Sequence, residues 1–220
     1  MSSVIGIAPF QFVHIFDSNT NITRLLNGPK RLVLQNHEKS VMGPLPMIII
    51  PPGHYCMIKD PMSQYEDGKS CELRMGQTDV RFHQEPFPLY PGESLVGAPD
   101  FGQSADYKAA IIQLPVIKAN HAIRLRALVD HMDGEIHRRE EEMWQIEGPL
   151  LYHPTPNVTI IDIIKPVIIR PGEALKMRAI QDTTDRCGRK RVTGEEWMVC
   201  QPGPTYGRCE EVRMGWSVWC

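Results

Sequence analysis

The sequence predicts an all-β protein, built as a tandem array of about four small antiparallel β-sheet modules. Three observations lead to this fold class: the chain repeats itself, turn-forming residues are dense, and the apolar runs are short. The 220 residues include 19 prolines and 17 glycines. Proline removes a backbone donor and fixes φ, whereas glycine admits turn conformations, so little room is left for long helices. An apolar fraction of 42% is enough to bury cores.

The repetition has a period of about fifty residues. The segment IRLRA at 123–127 returns as LKMRA at 175–179. Trp144 and Trp197 each follow acidic residues downstream of these segments. Two further segments recur together later in the chain, separated by the same distance as in their first copy. They are Gly28 with the proline that follows it, and the run at 46–51. Modules repeated at this spacing usually stack and form extended surfaces rather than one catalytic pocket.

Strands are predicted from the alternation of apolar residues. Near the N-terminus, residues 10–16 alternate with a period of two, which is typical of a strand with one half-buried face. In residues 123–127 the two arginines share one face of the strand, and the aliphatic side chains share the other. Residues 138–143 have a helix-like pattern, but their counterpart at 189–196 contains a Thr-Gly pair, so we expect sheets there too. Further short strands are predicted at 47–50, 111–114, 158–164 and 167–169.

Recurrent proline-aliphatic-proline-glycine segments mark the module boundaries. We predict modules at 1–52, 53–110, 111–165 and 166–212, followed by an atypical C-terminal tail at 213–220. The tail holds two tryptophans and a cysteine, which cap a β array poorly. We therefore expect a truncated or alternatively spliced product, or a mispredicted gene model. Sheets this small do not bury an apolar face alone, so each module is expected to lean on a neighbour or another chain.

Composition disfavours several classes of protein. With 24 basic and 26 acidic side chains the net charge is −2, so no overall field draws the chain to nucleic acid or an anionic membrane. We find no signal peptide and no apolar run long enough to span a membrane. The six irregularly spaced cysteines are expected to be reduced thiols rather than a disulfide framework or a zinc site. A cytoplasmic location is predicted, with the nucleus left open.

Acidic, glycine-containing loops raise the question of calcium. An EF-hand loop needs oxygen ligands at positions 1, 3 and 5, glycine at 6 and glutamate at 12. With Gly134 at position 6, Val129 falls at position 1; with Gly188 at position 6, Gly194 falls at position 12. Both loops fail the template, so we favour polar hairpin turns, expect no cofactor, and keep weak or partner-assisted calcium binding as the alternative. The candidate calcium ligands are Asp130, Asp133, Glu135, Asp182 and Asp185.

A basic cluster at 186–191 could be read as a nucleic-acid or nuclear-import patch. Glu195 and Glu196 follow it immediately, so we favour ion pairing between strands or subunits and expect no direct nucleic-acid binding. The equivalent Trp144 and Trp197 are expected in the core. Ser104 lies in a segment that lacks the second glycine of a nucleophile elbow, and no phosphate-binding loop is present. The sequence therefore predicts that the chain is not an enzyme.

Several segments together carry a family resemblance: GPK at 28–30, IPPGHYC at 50–56, EPFPLYPGE at 85–93, EGP at 147–149 and RVTGEEW at 191–197. In this order and spacing the chain resembles the N-terminal repeats of the major vault protein family, over roughly residues 8 to 212. The resemblance implies a subunit or fragment of the vault ribonucleoprotein shell, in which many copies stand side by side as staves of a hollow barrel, with these repeats near its waist.

The resemblance also implies partners. They are further copies of the chain or full-length major vault protein, and other vault-associated or signalling proteins; the RNA is expected to associate with other vault components. The shoulder, cap helix and cap ring of the family are not part of this sequence, so autonomous shell formation is in question. The alternative function is a soluble adaptor that binds signalling or vault-associated proteins without entering a shell.

Overall fold

The computed structural model describes residues 4–64, 71–99 and 101–217. Within these ranges the chain forms short antiparallel strands, one four-residue α-helix and one 3-10 turn. The predicted all-β class is confirmed. The chain divides into two compact units, 1–114 and 115–220; residues 111–114, which were predicted to begin the third module, lie in the first unit.

The first module is organised around one central strand, β2, which pairs with β3 on one side and β5 on the other, while β1 pairs with β4. Both faces of β2 are buried, not one as the alternation predicted. Val13 and Ile15 pack on Ile7 and Leu34, whereas Phe12 packs on a second apolar cluster. The strands are β1 (Val4–Ile7), β2 (Gln11–Asp17), β3 (Ile22–Asn27), β4 (Lys30–Val33) and β5 (Glu38–Pro46).

The second module has β6 at its centre, with β9, β10 and β11 paired to it, and β7 paired with β8. Its elements are β6 (His54–Lys59), β7 (Met62–Gln64), β8 (Cys71–Leu73), β9 (Thr78–Phe82), β10 (Ser94–Leu95), α1 (Phe101–Ser104), the 3-10 turn (Lys108–Ala110) and β11 (Ile112–Gln113).

Residues of the first two predicted modules share one core. Phe12 and Ile48 from the first lie in the same buried cluster as Ile58, Leu89 and Phe101 from the second. This shared cluster covers the second face of β2. The predicted boundary between residues 110 and 111 stays a prediction; β11, just beyond it, pairs with β6.

The third module is centred on β13, which lies between β16 and β18. Two small ribbons, β12 with β17 and β14 with β15, complete it. The helix-like stretch at 138–143 is the end of β15, a turn and the start of β16. The strands are β12 (Val116–Ile117), β13 (Ala122–Ala127), β14 (His131–Asp133), β15 (Ile136–Arg138), β16 (Met143–Glu147), β17 (Leu150–Leu151) and β18 (Val158–Ile164).

The fourth module repeats this plan. Its central β20 lies between β23 and β25, and Met177 faces Trp197 across the sheet as Leu125 faces Trp144 in the third module. The sequence repeat is therefore a structural repeat with the same register. The strands are β19 (Val167–Ile169), β20 (Ala174–Ala179), β21 (Thr183–Thr184), β22 (Lys190–Arg191), β23 (Glu196–Val199), β24 (Gly203–Thr205) and β25 (Glu211–Ser217).

Two sequence expectations concern the C-terminal part of the chain. The tail predicted from residue 213 overlaps β25, which runs through Ser217 and pairs with β20; residues 218–220 lie outside the described residues. The expectation of reduced thiols is wrong at Cys200, which is disulfide-bonded. It holds at Cys56, Cys187 and Cys209, which are free. Irregular spacing gives no pairing signal, so the sequence could not identify this bond.

Candidate interaction surfaces

Glutamate-closed turns recur through the chain. In six turns of the described residues, a glutamate occupies the fourth position, and its N–H donates to the carbonyl of the first residue at 2.9–3.1 Å. Its Oε2 accepts the N–H of that same first residue, also at 2.9–3.1 Å. Each glutamate thus closes its turn twice, because its backbone N–H and its side chain both bond to the first residue. The turns are 35–38, 90–93, 139–142, 170–173, 192–195 and 208–211.

In four of these turns the second carboxylate oxygen faces an arginine. Glu93 is the most buried example: its side chain is 0% exposed, and Oε1 accepts from Arg81 at 3.1 Å and from the Met62 N–H at 2.9 Å. The other pairs are Glu38 with Arg24, Glu142 with Arg138, and Glu195 with Arg191. Sequence reasoning missed this motif, although a glutamate three residues after each turn start was visible.

The turn that precedes each central strand is also closed by a side chain. The last residue of this turn is Gln11, His54, His121 or Glu173, which begins the central strand (β2, β6) or directly precedes it (β13, β20). Each forms a hydrogen bond with the backbone of its own turn. Two of these four turn-closing residues are histidines, His54 and His121.

His14 is buried within unit 1–114 and its Nε2 lies 2.8 Å from the Leu89 carbonyl oxygen. Burial lowers the pKa of His14, while the hydrogen bond with Leu89 and the charge of Glu93 act in the opposite direction. A largely neutral ring suits a place inside the shared core of the first two modules.

The acidic loops use their carboxylates to shape turns. Asp185 is 5% exposed; its Oδ1 accepts from the backbone N–H of Cys187 and of Arg189, and its Oδ2 accepts from Arg191 Nε at 3.0 Å. Burial acts to raise the pKa of Asp185, but the hydrogen bonds from Arg189 and Arg191 outweigh it and lower the pKa. Asp182 accepts two bonds from Thr193, and the backbone one lowers its pKa most.

The corresponding loop of the third module is similar. Asp130 Oδ1 accepts the Glu140 N–H at 2.7 Å, Asp133 pairs with Arg138 at 3.8 Å, and Glu135 is exposed. Across the described ranges, no group of three or more histidine, cysteine, aspartate or glutamate side chains is placed to hold a metal ion. The five calcium candidates are divided between two loops, and most of them bond to protein donors.

The basic cluster forms ion pairs and cation–π contacts. The Arg191 guanidinium lies 4.8 Å from the centre of the Trp197 ring and pairs with both Asp185 and Glu195. Arg138 in the third module lies in the same way over Trp144, at 4.6 Å. Both tryptophans pack against the apolar clusters of their modules.

The third and fourth modules contact each other within unit 115–220. Arg186 pairs with Glu147 at 3.3 Å and stacks 4.1 Å above the Tyr206 ring. Cys209 Sγ donates to Gln145 Oε1 at 3.8 Å. A polar, charge-paired surface on one module thus receives a turn of the next.

The outward faces of the central strands carry further ion pairs. On β13, Arg124 pairs with Asp162 and Arg126 with Glu141. On β20, Lys176 at 2.6 Å and Arg178 at 3.2 Å share the single carboxylate of Glu196. The fourth module therefore presents more positive than negative charge on this face.

No helix in the described parts of the chain is long and apolar enough to cross a membrane.

Comparison with known proteins gives a consistent result. Two family models, both described as Major Vault Protein repeat domain, match residues 47–98 and residues 115–155 with 167–206. The chain is 40% identical to the major vault protein of Strongylocentrotus purpuratus over 218 residues, 96% of this chain and 24% of that protein.

Other relatives agree. The chain is 42% identical to major vault protein alpha of Dictyostelium discoideum over 210 residues, which cover 92% of this chain and 24% of the relative. It is 41% identical to the major vault protein of Diplobatis ommata over 208 residues, 91% of this chain and 23% of the relative. The chain spans about a quarter of the length of these relatives.

Proposed function

The chain belongs to the major vault protein family, and from that premise we propose that it is a structural component of the vault shell that acts through protein–protein contacts. The observation that carries the proposal is the shared plan of the modules, each with a central strand and side-chain-closed turns. Repeats of this kind form extended contact surfaces. Self-association or association with full-length major vault protein follows as the proposed partnership.

The proposed contacts combine module stacking along the chain with polar contacts between neighbouring chains. Stacking is illustrated by Arg186 and Cys209, which join the fourth module to the third. Lateral contacts are assigned to the charged face of β20, where Lys176 and Arg178 share Glu196. A surplus of positive charge there suits an acidic surface of another chain, because complementary charge favours correct encounter.

Charge reversal on this face tests the proposal. We expect tagged K176E/R178E chain to co-sediment with full-length vault particles several-fold less than the wild type, because two attractive charges become repulsive. The matched control is K30E/K108E, which changes the net charge equally at two exposed lysines of the other unit. The measurement is the fraction of tagged chain in the particle peak of a density gradient.

The same experiment separates shell component from adaptor. Equal incorporation of both variants contradicts the assignment of lateral contacts to β20. A wild-type chain that stays outside the particles, and elutes near the 25.0 kDa monomer while binding other proteins, supports the adaptor instead. Light scattering after size-exclusion chromatography gives that mass directly.

The remaining assignments are proposals of the same kind. We propose no catalytic role, since the relatives that match the chain are major vault proteins. No direct nucleic-acid binding is proposed, because Arg186 and Arg191 in the basic cluster are paired with carboxylates. A cytoplasmic location, with the nucleus open, is to be checked by imaging.

Weak or partner-assisted calcium binding at the two acidic loops also stays a proposal. Asp185 already accepts three hydrogen bonds from protein groups, so calcium would have to replace them. Titration calorimetry with calcium tests it: absence of any heat at millimolar calcium would remove the alternative.

A further inference from the structure

Glu211 differs from the other turn-closing glutamates. Its Oε2 accepts the Arg208 N–H at 3.0 Å, as the motif requires. Its Oε1 is buried and has no hydrogen-bond partner among the described residues, and the whole residue is only 8% exposed. An ionised carboxylate held this way has given up water without full replacement, which costs free energy.

Glu211 stands where the last described strand joins its sheet. It is the first residue of β25 and lies opposite Ala179, the last residue of β20. Next to this pair, the Ile180 N–H donates to the Glu210 carbonyl at 2.7 Å. The protonation state of the Glu211 carboxyl group therefore affects the pairing of β25 with β20.

The third module provides an internal comparison. There, Val158 begins β18 and lies opposite Ala127, in the same register. The Leu128 N–H donates to the Asn157 carbonyl at 2.8 Å. Val158 packs against the apolar cluster of its module, so one module uses an apolar residue where the other uses a carboxylic acid.

The groups around Glu211 come from its own turn and from the β21–β22 hairpin. Burial raises the pKa of Glu211 most; the N–H bond and charge of Arg208 act against it, while the charges of Asp185 and Glu210 add to it. Glu211 also lines a cavity of about 260 Å³ in the fourth module, together with Met177 and Asp185. The other titratable side chains on this cavity are Arg186, Cys187, Arg189, Arg191 and Tyr206.

We propose that Glu211 is a proton-operated latch for β25: the protonated side chain secures the start of the strand against β20, and ionisation loosens it. A loosened β25 exposes the edge of β20, which another strand can then pair with. In the four turns where the second oxygen faces an arginine, that cation compensates the charge; Glu211 has no such partner in the described chain.

The direction of the pH effect follows from the raised pKa of Glu211. A group whose folded pKa exceeds its unfolded value stabilises the fold fully below the unfolded pKa, and this contribution is lost as pH rises through the folded pKa. Acidification from neutral pH should therefore tighten β25. Asp185 and Glu195, whose pKa values are lowered, act oppositely, and only at lower pH.

Amide hydrogen exchange of the full chain, read by NMR, tests the latch. Ile180 reports on β25, and Leu128 is the matched control in the third module. Between about pH 7.5 and about pH 4.5, and after correction for intrinsic exchange, the protection factor of Ile180 should rise, by up to about tenfold for each unit by which the folded pKa of Glu211 exceeds the unfolded one. The protection factor of Leu128 should not change.

Two variants sharpen the test. E211Q retains an oxygen for the Arg208 N–H but does not titrate, so Ile180 protection should lose its pH dependence. E173Q, at a partly exposed turn glutamate of the same module, should keep the wild-type dependence. The proposal is overturned if wild-type Ile180 protection is flat or falls on acidification, or if the rise persists in E211Q. If E211Q fails to fold, the wild-type comparison of Ile180 with Leu128 still decides.

Discussion

At the scale of single residues, the repeated glycines have a packing reason. Gly28 and Gly148, which recur in sequence, donate backbone hydrogen bonds to Gln11 and His121 at 2.8 and 2.9 Å. A Cβ at Gly28 would lie 2.0 Å from the Ala8 carbonyl oxygen, and one at Gly148 would lie 2.4 Å from the Lys118 carbonyl oxygen. Only glycine allows the backbone to approach this closely.

Replacing Gly28 tests this reading. We expect G28A to lower the free energy of unfolding by about 2–3 kcal/mol, because the backbone must move apart to admit the methyl group. G6A is the control: no atom lies within 4 Å of a Cβ built on Gly6, so its effect should be small. Urea denaturation of both variants gives the comparison, and equal stability would refute the packing argument.

At the scale of elements, periodicity identified the central strands but not all of their surroundings. The segment 123–127 is a strand with the predicted faces: Ile123 and Leu125 are buried, whereas Arg124 forms a surface ion pair. The alternation at 10–16 also marks a strand, yet both of its faces are covered, because Phe101 and its neighbours come from a distant segment. Short-range patterns carry no information about such a contact.

The contacts of the acidic loops and the basic cluster were also predicted only in part. The sequence indicated acidic turns at Asp182 and Asp185, and the structure shows them bonded to neighbouring backbone groups. It did not indicate that Arg191 would lie between Asp185 and Glu195 over the Trp197 ring. That arrangement depends on the turn at 192–195, which links β22 to β23, whereas the sequence alone gives only the spacing of these residues.

The faces assigned to the repeated strands can be tested by a buried charge. Leu125 is 1% exposed and Met177 is 3% exposed. We expect L125D or M177D to cost more than about 3 kcal/mol and to unfold the local module, because the new carboxylate is buried without a partner and a cavity remains. M132D, at an exposed hairpin position, is the control. Unchanged thermal stability of the core variants would contradict the face assignment.

At the scale of the whole molecule, the unit of folding is larger than the sequence repeat in the first half of the chain. The repeat suggests that residues 1–52 form a module, but Phe12, Leu45 and Ile48 belong to a cluster that Ile58 and Phe101 complete. A segment that ends at residue 52 leaves these side chains in water, and the lost burial is about 25 cal/mol for each Å² of apolar surface.

Two fragments test whether the folding unit is the predicted module or the larger compact unit. We expect residues 1–114 to unfold cooperatively in urea, since this unit contains its whole shared cluster. Residues 1–52 should show no cooperative transition, because a small sheet with one uncovered apolar face does not offset the entropy of ordering its chain. Circular dichroism and tryptic digestion give the readout. The opposite outcome is a cooperative transition of residues 1–52, with a dependence of the unfolding free energy on urea that suits a fragment of this size. In that case the sequence repeat is itself the folding unit. The second module, which covers one face of β2, then only adds stability to a module that is already folded.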